Sequence, residues 1–193
     1  MNKPDLSIIV VNYQSWTYLE DCLESFKNYP PDLKYEIIVV DNDSNDGYFD
    51  NFKSKHPEIN LIVNTGNHGF SNGCNLGASK AQADTLLFLN PDTELNETNS
   101  IDAMYQYLQK NHEDVGIVSC RNVTPNGIGK EDRFLSPWFL FGYIRSIHNL
   151  LNKDKLAKKF SDEKDIWFPG WVTGSVVMIS NKLIKKINGW NGE

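Results

Sequence analysis

Cysteine is scarce in this sequence, with three residues among 193, an odd number that argues against a disulfide-stabilised fold. Cys22, Cys74 and Cys120 have no C-x-x-C spacing, so they favour reduced thiols in the cytoplasm over a zinc site. No apolar run approaches the roughly 20 residues of a membrane-spanning helix, and the N-terminal run is too short for a signal peptide. A net charge of −6 argues against a nucleic-acid partner.

Two common nucleotide-binding motifs are also absent. No G-x-G-x-x-G follows the first apolar run, and no G-x-x-x-x-G-K-[ST] occurs anywhere in the chain. These absences exclude the usual dinucleotide and P-loop sites. The chain shows no internal repeat and no low-complexity linker, and its length is sufficient for one domain with a sizeable core.

What the sequence does have is an alternation of short apolar runs with amphipathic segments. The apolar runs predict buried strands over residues 6–13, 35–44, 59–64, 85–90, 115–120 and 170–180. Helices are predicted from the capping-box pattern Thr17-x-x-Glu20 onward, and over 71–82, 99–111 and 181–187. This alternation is typical of an α/β fold with a mostly parallel sheet flanked by helices.

Polar residues follow three of the predicted strands at the point where each strand ends. They are Asn12 and Tyr13, then Asp41, Asn42 and Asp43, and finally Asn90 and Asp92. One acid at a strand end is usually a turn or helix cap. Three strands that end this way predict a shared polar cleft, because ligands of open parallel sheets bind beyond the carboxyl ends of the strands.

Two features indicate what this cleft binds. The Gly- and Asn-rich stretch 64–77 could approach a ligand closely, and the helix after it favours an anion; the alternative is a flexible loop. Pro91 fixes φ near −65° and directs Asp92 out of the strand. Because Mg2+ or Mn2+ takes one or two carboxylates and fills its shell with phosphate oxygens and water, Asp92 suits such an ion beside a phosphate.

Seven stretches of the chain, in order, resemble the family 2 glycosyltransferases with the GT-A fold, especially the bacterial rhamnosyltransferase-like members. They are SIIVVNY, EIIVVDNDSNDG, NTGNHGFSNGCNLG, LLFLNPDTEL, VGIVS, GWVTGSVVMIS and INGWNGE. The resemblance implies a Rossmann-like mixed sheet in a single domain, residues 1–193. Residues 1–120 would be its nucleotide-binding half, and 121–193 its acceptor-side half, truncated at the C-terminus.

The resemblance also implies an activity. This is inverting transfer of a sugar from a UDP- or dTDP-sugar to a glycan or lipid-linked acceptor, in bacterial cell-surface polysaccharide synthesis. The expected location is the cytoplasm, at the inner face of the membrane. The aromatic segment 137–151 and the lysines that follow it suit either a packed lid or a peripheral membrane contact.

Individual positions take roles from the same resemblance. Asp92 would bind the Mg2+ or Mn2+ that bridges the diphosphate, and Asn90 stands where relatives carry the first acid of Asp-x-Asp, which implies weaker metal affinity. Trp171, Thr173 and Gly174 would lie near the transferred sugar and the acceptor. The nucleotide site would comprise Val11, Asn12, Tyr13, Asp41, Asp43, Asn67, Gly69, Phe70, Asn75 and Asn90.

The catalytic base of such an enzyme is missing from this sequence. Relatives supply it from a Glu-Asp pair beyond a GGFDE-like stretch, which NGWNGE matches, so the base is expected after Glu193. This leaves a second hypothesis, a nucleotide-sugar-binding module without turnover. A third, a sugar-phosphate nucleotidyltransferase, would need a Gly-rich basic loop after the first strand, and VNYQSWTYL has none.

Overall fold

A computed structural model describes residues 3–120, 122–124, 127–128 and 172–191. Its strands are β1 Leu6–Asn12, β2 Tyr35–Asp41, β3 Asn60–Val63, β4 Thr85–Leu89, β5 Ile117–Val118, β6 Val123–Thr124, β7 Gly127–Ile128 and β8 Val176–Ser180. Its helices are α1 Trp16–Asn28, α2 Phe49–Lys55, α3 Gly69–Lys80, α4 Ser100–Lys110 and α5 Asn181–Lys186.

Six of these strands form one mixed, mostly parallel sheet in the order β3-β2-β1-β4-β8-β5. The strands β3, β2, β1 and β4 run parallel, whereas β8 is antiparallel to both of its neighbours. Asn12 pairs with Asp41, and Val10 pairs with Leu89. The carboxyl ends of β1, β2 and β4 therefore meet at one edge of the sheet, as the sequence predicts.

One face of the sheet carries the large hydrophobic core. β1 and β4 are buried along their whole length, which explains why their sequences are continuous apolar runs rather than alternating ones. Ile8 and Val10 of β1 pack with apolar side chains of α1 and α4, chiefly Trp16, Leu19, Leu23, Phe26, Ile101, Met104 and Leu108. Burial of this apolar stripe holds the two helices on the sheet.

The opposite face of the sheet is covered in part by α3, which lies unusually close to the strands. A Cβ atom at Gly73 would lie 2.6 Å from Val11 Cγ1, and one at Gly77 would overlap Ile9 Cγ2. Only glycine leaves room for this approach. The sequence predicts a small-residue face on this helix, formed by Gly73, Gly77, Ala78 and Ala81, and the contacts at the two glycines confirm it there.

Two local predictions need correction. The helix α1 begins at Trp16 with Ser15 as its N-cap, and no side-chain cap bond is formed, so the capping box at Thr17 was wrong. The helix α2 was missed altogether. It has seven residues and Phe52 is its one buried residue, which leaves no apolar periodicity long enough to indicate a helix.

The chain divides into two compact units, residues 1–120 with 174–193, and residues 121–173. In the second unit β6 pairs antiparallel with β7. The partly helical segment predicted over 136–160 lies outside the described residues, and the division into nucleotide-binding and acceptor-side halves stays a prediction. None of the described helices has the length and apolarity to cross a membrane.

Candidate functional site

The ends of β1 and β2 are joined by a buried polar network. Asn12 Nδ2 donates to Asp41 Oδ1 at 3.0 Å and to Ser44 Oγ at 3.3 Å. The Ser44 hydroxyl donates to the same carboxylate oxygen, and the Ser44 N–H donates to Asp41 Oδ2 at 3.3 Å. Asn12 and Asp41 are 0% and 3% exposed. The structure thus brings these two predicted site residues together. Their side chains are buried, however, and bond to each other and to Ser44 rather than facing a ligand.

The residues that follow this network are more accessible. Tyr13 is 47% exposed. Asp43 is half-buried in a left-handed backbone conformation, with φ 66°, and its Oδ1 accepts from Asn45 Nδ2 at 2.6 Å. The buried Val11 side chain instead packs beneath α3, against Gly73. Of the residues predicted at these two strand ends, Tyr13 and Asp43 are therefore the ones placed to meet a ligand.

A second network of side-chain amides fixes the loop between β3 and α3. Asn64 Nδ2 donates to Asn42 Oδ1 at 2.8 Å and to Asn72 Oδ1 at 2.9 Å. Asn42 Nδ2 donates in turn to Asn67 Oδ1 at 2.7 Å and to the Gly69 carbonyl at 3.3 Å. Sequence reasoning missed Asn64 and Asn72, although the Asn-rich composition of the loop was a signal. The predicted flexible-loop alternative fits these contacts poorly, because Asn42, Asn64 and Asn67 each have two or more partners within the loop or beside it.

The N-terminal end of α3 opens at the same edge. Gly69 has a φ of 83°, and its N–H donates to Asn67 Oδ1 at 3.1 Å. Its neighbour Phe70 is 37% exposed. No side-chain cap bond comes from the N-cap residue His68, so the first N–H groups of α3 lack that partner. Such a helix end favours a negatively charged group.

The end of β4 forms a tight turn. The Thr93 N–H donates to the Asn90 carbonyl at 3.2 Å, so Pro91 and Asp92 occupy the two central positions. The Asn90 N–H is held by the Ser175 carbonyl at 2.9 Å. Proline suits the first central position because its φ is already near −65°. The turn places Asp92 at its tip.

The Asp92 side chain is exposed and has no partner among the described residues. Its carboxylate makes no hydrogen bond or ion pair with any residue in the described part of the chain. It lies near Cys22, whose thiol pKa is raised to about 12, first by burial, then by the carboxylates of Glu94 and Asp92. An unpaired carboxylate at the tip of a fixed turn can bind a cation without breaking an existing contact.

The carboxylate oxygens at this edge suit a Mg2+ or Mn2+ ion better than a zinc or calcium ion. Among the described residues no group of three or more His, Cys, Asp or Glu side chains could enclose a metal ion. A structural zinc cage or an all-protein calcium site is thus not built from these residues. A single free carboxylate does fit Mg2+ or Mn2+ that takes its other ligands from phosphate and water.

Asn75 lies on α3, and its side-chain amide is already engaged. Asn75 Nδ2 donates to the Trp190 carbonyl at 3.0 Å, and the Trp190 N–H donates back to Asn75 Oδ1 at 2.8 Å. The predicted nucleotide contact of Asn75 is therefore not available to these two atoms as they stand. Trp190 itself was not predicted as a site residue, and no local sequence signal links it to a helix 115 positions away.

The predicted sugar and acceptor residues are Trp171, Thr173 and Gly174. Gly174, in the first unit, is exposed, and a Cβ there would meet nothing within 4 Å. In the second unit, Thr173 Oγ1 accepts from Asn122 Nδ2 at 3.4 Å. Trp171 and Glu193 lie outside the described residues. The acceptor-side assignments stay predictions.

Comparison with known proteins gives the same family as the sequence motifs. The family model described as glycosyl transferase family 2 matches residues 7–172. Among curated proteins, the chain is 28% identical over 191 residues to the low-salt glycan biosynthesis hexosyltransferase Agl10 of Haloferax volcanii. That match covers 97% of this chain and 56% of the relative.

Solved structures share the fold. A mannosyltransferase from Pyrobaculum calidifontis, in complex with GDP-Man and Mn2+, superposes with a TM-score of 0.67 at 19% identity, covering 100% of this chain and 49% of that one. S. aureus TarS 1-349 in complex with UDP-GlcNAc gives a TM-score of 0.60 at 16% identity, covering 95% and 47%. The predicted GT-A fold is confirmed. The chain spans about half the length of the relatives it matches.

Proposed function

This chain belongs to glycosyl transferase family 2, and on that premise we propose that it takes part in inverting sugar transfer from a nucleoside-diphosphate sugar. The donor is a UDP- or dTDP-sugar, and the acceptor is a glycan or a lipid-linked sugar. The setting is cell-surface polysaccharide synthesis at the inner face of the membrane. The transferred group is a hexose or deoxyhexose, and the names of Agl10, a hexosyltransferase, and of the mannosyltransferase bound to GDP-Man support a hexose.

The observation that carries this proposal is the free carboxylate of Asp92 at the carboxyl edge of the parallel strands. Its strand β4 lies directly beside β1, so the turn that bears Asp92 stands next to the Tyr13 end of β1. Ligands of open α/β sheets bind at this edge. An exposed acid without a partner among the described residues is the kind of group that would hold a divalent cation there.

Each side chain then has a distinct task. Asp92, beside Asn90, would hold Mg2+ or Mn2+. That ion would supply positive charge to offset the charge of the departing diphosphate. Tyr13, Asp43 and Phe70 would contact the nucleotide or sugar, while Asn12 and Asp41 hold the strand ends that precede Tyr13 and Asp43.

Thermal unfolding with nucleotides tests the metal role. UDP, dTDP and GDP, each with and without Mn2+, are added to the wild-type chain, to Asp92→Ala and to Asp114→Ala. Asp114 is an exposed acid in the α4–β5 connection and serves as the control. We expect Mn2+ with the preferred nucleotide to raise the Tm of the wild type and of Asp114→Ala, and to leave Asp92→Ala unchanged. An equal gain in Asp92→Ala would remove Asp92 from the metal site.

A nucleotide-sugar-binding module without turnover is the second candidate. It rests on the family resemblance, which expects the general base beyond the NGWNGE stretch. The test compares sugar transfer by this chain with transfer by a version extended through the next acidic pair of its gene. Comparable turnover by the two versions would refute the module.

A further inference from the structure

The segment after α5 is fixed to α3 by a two-sided contact with Asn75. Both polar atoms of the Asn75 amide are used, one as donor to the Trp190 carbonyl and one as acceptor from the Trp190 N–H. Gly189 adopts a φ of 84°, and a Cβ there would overlap Asn75 Oδ1. A residue with a side chain at position 189 would therefore displace the Asn75 amide. We call this contact the amide clamp.

The amide clamp places the Trp190 ring between two phenylalanines. Its centroid lies 5.2 Å from that of Phe88 on β4 and 5.9 Å from that of Phe70, with edge-on geometry at both contacts. Phe88 is fully buried, whereas Phe70 is 37% exposed. Edge-to-face pairs of this kind are favourable and restrict the orientation of both rings. Trp190 therefore links the exposed Phe70 ring to the buried Phe88 ring of the sheet and restricts where the Phe70 ring can lie.

The exposed ring of Phe70 stands at the ligand edge. It follows Gly69, whose N–H and carbonyl are both bound by the side-chain amides of Asn67 and Asn42. The amide network thus fixes the backbone that precedes Phe70, and Trp190 contacts the Phe70 ring. An aromatic face held in this way can stack on a nucleobase or on the apolar face of a sugar without a large loss of side-chain entropy.

We propose that Asn75 is a positioning residue, which acts through Trp190 to orient the Phe70 ring for contact with the bound nucleotide or nucleotide-sugar. The inference rests on the proposed function, because it assigns Phe70 a ligand of that class. It differs from the prediction made for Asn75 by the resemblance, in which this side chain itself lines the nucleotide and sugar cleft.

A double-mutant cycle tests the proposal. Asn75→Asp keeps the oxygen that accepts the Trp190 N–H, but sets a second oxygen against the Trp190 carbonyl and opens the clamp. Phe70→Leu removes the ring and keeps the clamp. Asn51→Asp makes the same chemical change on an exposed residue of α2 and is the control. The probe is UDP, dTDP or GDP, whichever binds the wild type most tightly, with Mn2+. Its Kd is measured by calorimetry well below the Tm of every variant.

We expect Asn75→Asp and Phe70→Leu each to raise Kd about tenfold, a difference of about 1.4 kcal/mol. The double variant should match Phe70→Leu alone, because Asn75 acts through that ring. Trp190→Phe retains the main-chain bonds and an aromatic ring, so its Kd should rise less than that of Asn75→Asp. Asn51→Asp should bind as the wild type does.

Three results would overturn the proposal. Additive effects in the double variant would show that Asn75 does not act through Phe70. An unchanged Kd in Asn75→Asp, with faster hydrogen exchange of the Trp190 amide, would show that the clamp opens without consequence for binding. A wild type that binds none of the three nucleotides, with or without Mn2+, would refute the proposed function and this inference together.

Discussion

Asp41 ends β2 and Asp92 follows β4 at the same edge of the sheet, yet the surroundings of the two acids differ completely. The Asp41 carboxylate is 3% exposed and accepts hydrogen bonds from Asn12 and Ser44. The Asp92 carboxylate is exposed and has no partner among the described residues. A strand-end acid can therefore stabilise the edge or serve a ligand. The sequence pattern alone does not separate the two roles, because it shows neither burial nor partners.

The largest expected effect is the loss of stability when the buried acid, Asp41, is replaced. Asp41→Ala removes the buried carboxylate that accepts from Asn12 and Ser44, which should cost about 3 kcal/mol of unfolding free energy. For a chain of this length, that cost corresponds to a Tm lower by about 6–12 °C. Thermal unfolding by circular dichroism measures it. A Tm within about 1 °C of the wild type would show that the network contributes little.

A smaller loss is expected where α3 contacts the sheet. Gly77→Ala places a methyl group against Ile9, and such overpacking typically costs about 1–3 kcal/mol. Gly174→Ala is the matched control, since a Cβ there meets nothing within 4 Å. Urea unfolding of the two variants compares them directly. Equal stability would mean that the close approach of α3 relaxes without cost.

Replacing Asp92 should leave the stability of the free protein almost unchanged. Asp92→Asn removes a charge that has no partner, so the unfolding free energy should stay within about 0.5 kcal/mol of the wild type. The measurement is the same urea titration, without nucleotide or metal. A loss as large as that of Asp41→Ala would mean that Asp92 stabilises the fold, and the contrast between the two acids would disappear.

The smallest effect concerns the thiol next to Asp92. Burial, followed by Glu94 and Asp92, raises the pKa of Cys22 to about 12, and burial raises that of Cys74 to about 12. Both thiols should therefore stay unreactive toward a disulfide reagent at pH 8 in the native protein and react after unfolding. Asp92→Asn should leave Cys22 equally inert, since burial is the larger cause. Rapid native reaction of Cys22 would contradict its burial.

The same thiols give a pH dependence whose sign follows from the raised pKa. The folded state keeps these two protons at a pH where the unfolded chain releases them. Their contribution to stability is therefore fully present below the ordinary thiol pKa of about 9 and is lost as pH rises toward about 12. Urea unfolding at pH 8 and pH 10 should show lower stability at the higher pH. Replacing Cys22 and Cys74 by Ala should reduce that difference.

Much of the fold was predictable because its signals are local. The buried runs of β1 and β4 and the small-residue face of α3 can be seen within a dozen residues. Contacts between distant segments could not be predicted in this way. The Asn12–Asp41 pair depends on the register between β1 and β2, and the Asn75–Trp190 clamp joins residues 115 positions apart.

The candidate site follows the same division. The proline before Asp92 and the strand ahead of it predicted that this side chain leaves the strand, and Asp92 is exposed in a turn. Its role as a metal ligand stays a prediction. The direction of β8 was not predicted, since an apolar run indicates a strand but not which way it runs. The amide network of Asn42 and Asn64 was also missed, because single asparagines in a loop do not reveal their partners.

The position of β8 has a consequence for how the chain folds as it is synthesised. This strand is inserted between β4 and β5, although it follows β5 by more than fifty residues. Until residues 176–180 leave the ribosome, β4 has an unpaired apolar edge, and β5 has no neighbour in the sheet. Open edges of this kind pair readily with other chains. The nascent protein therefore has an edge open to such pairing from the synthesis of β4 until that of β8.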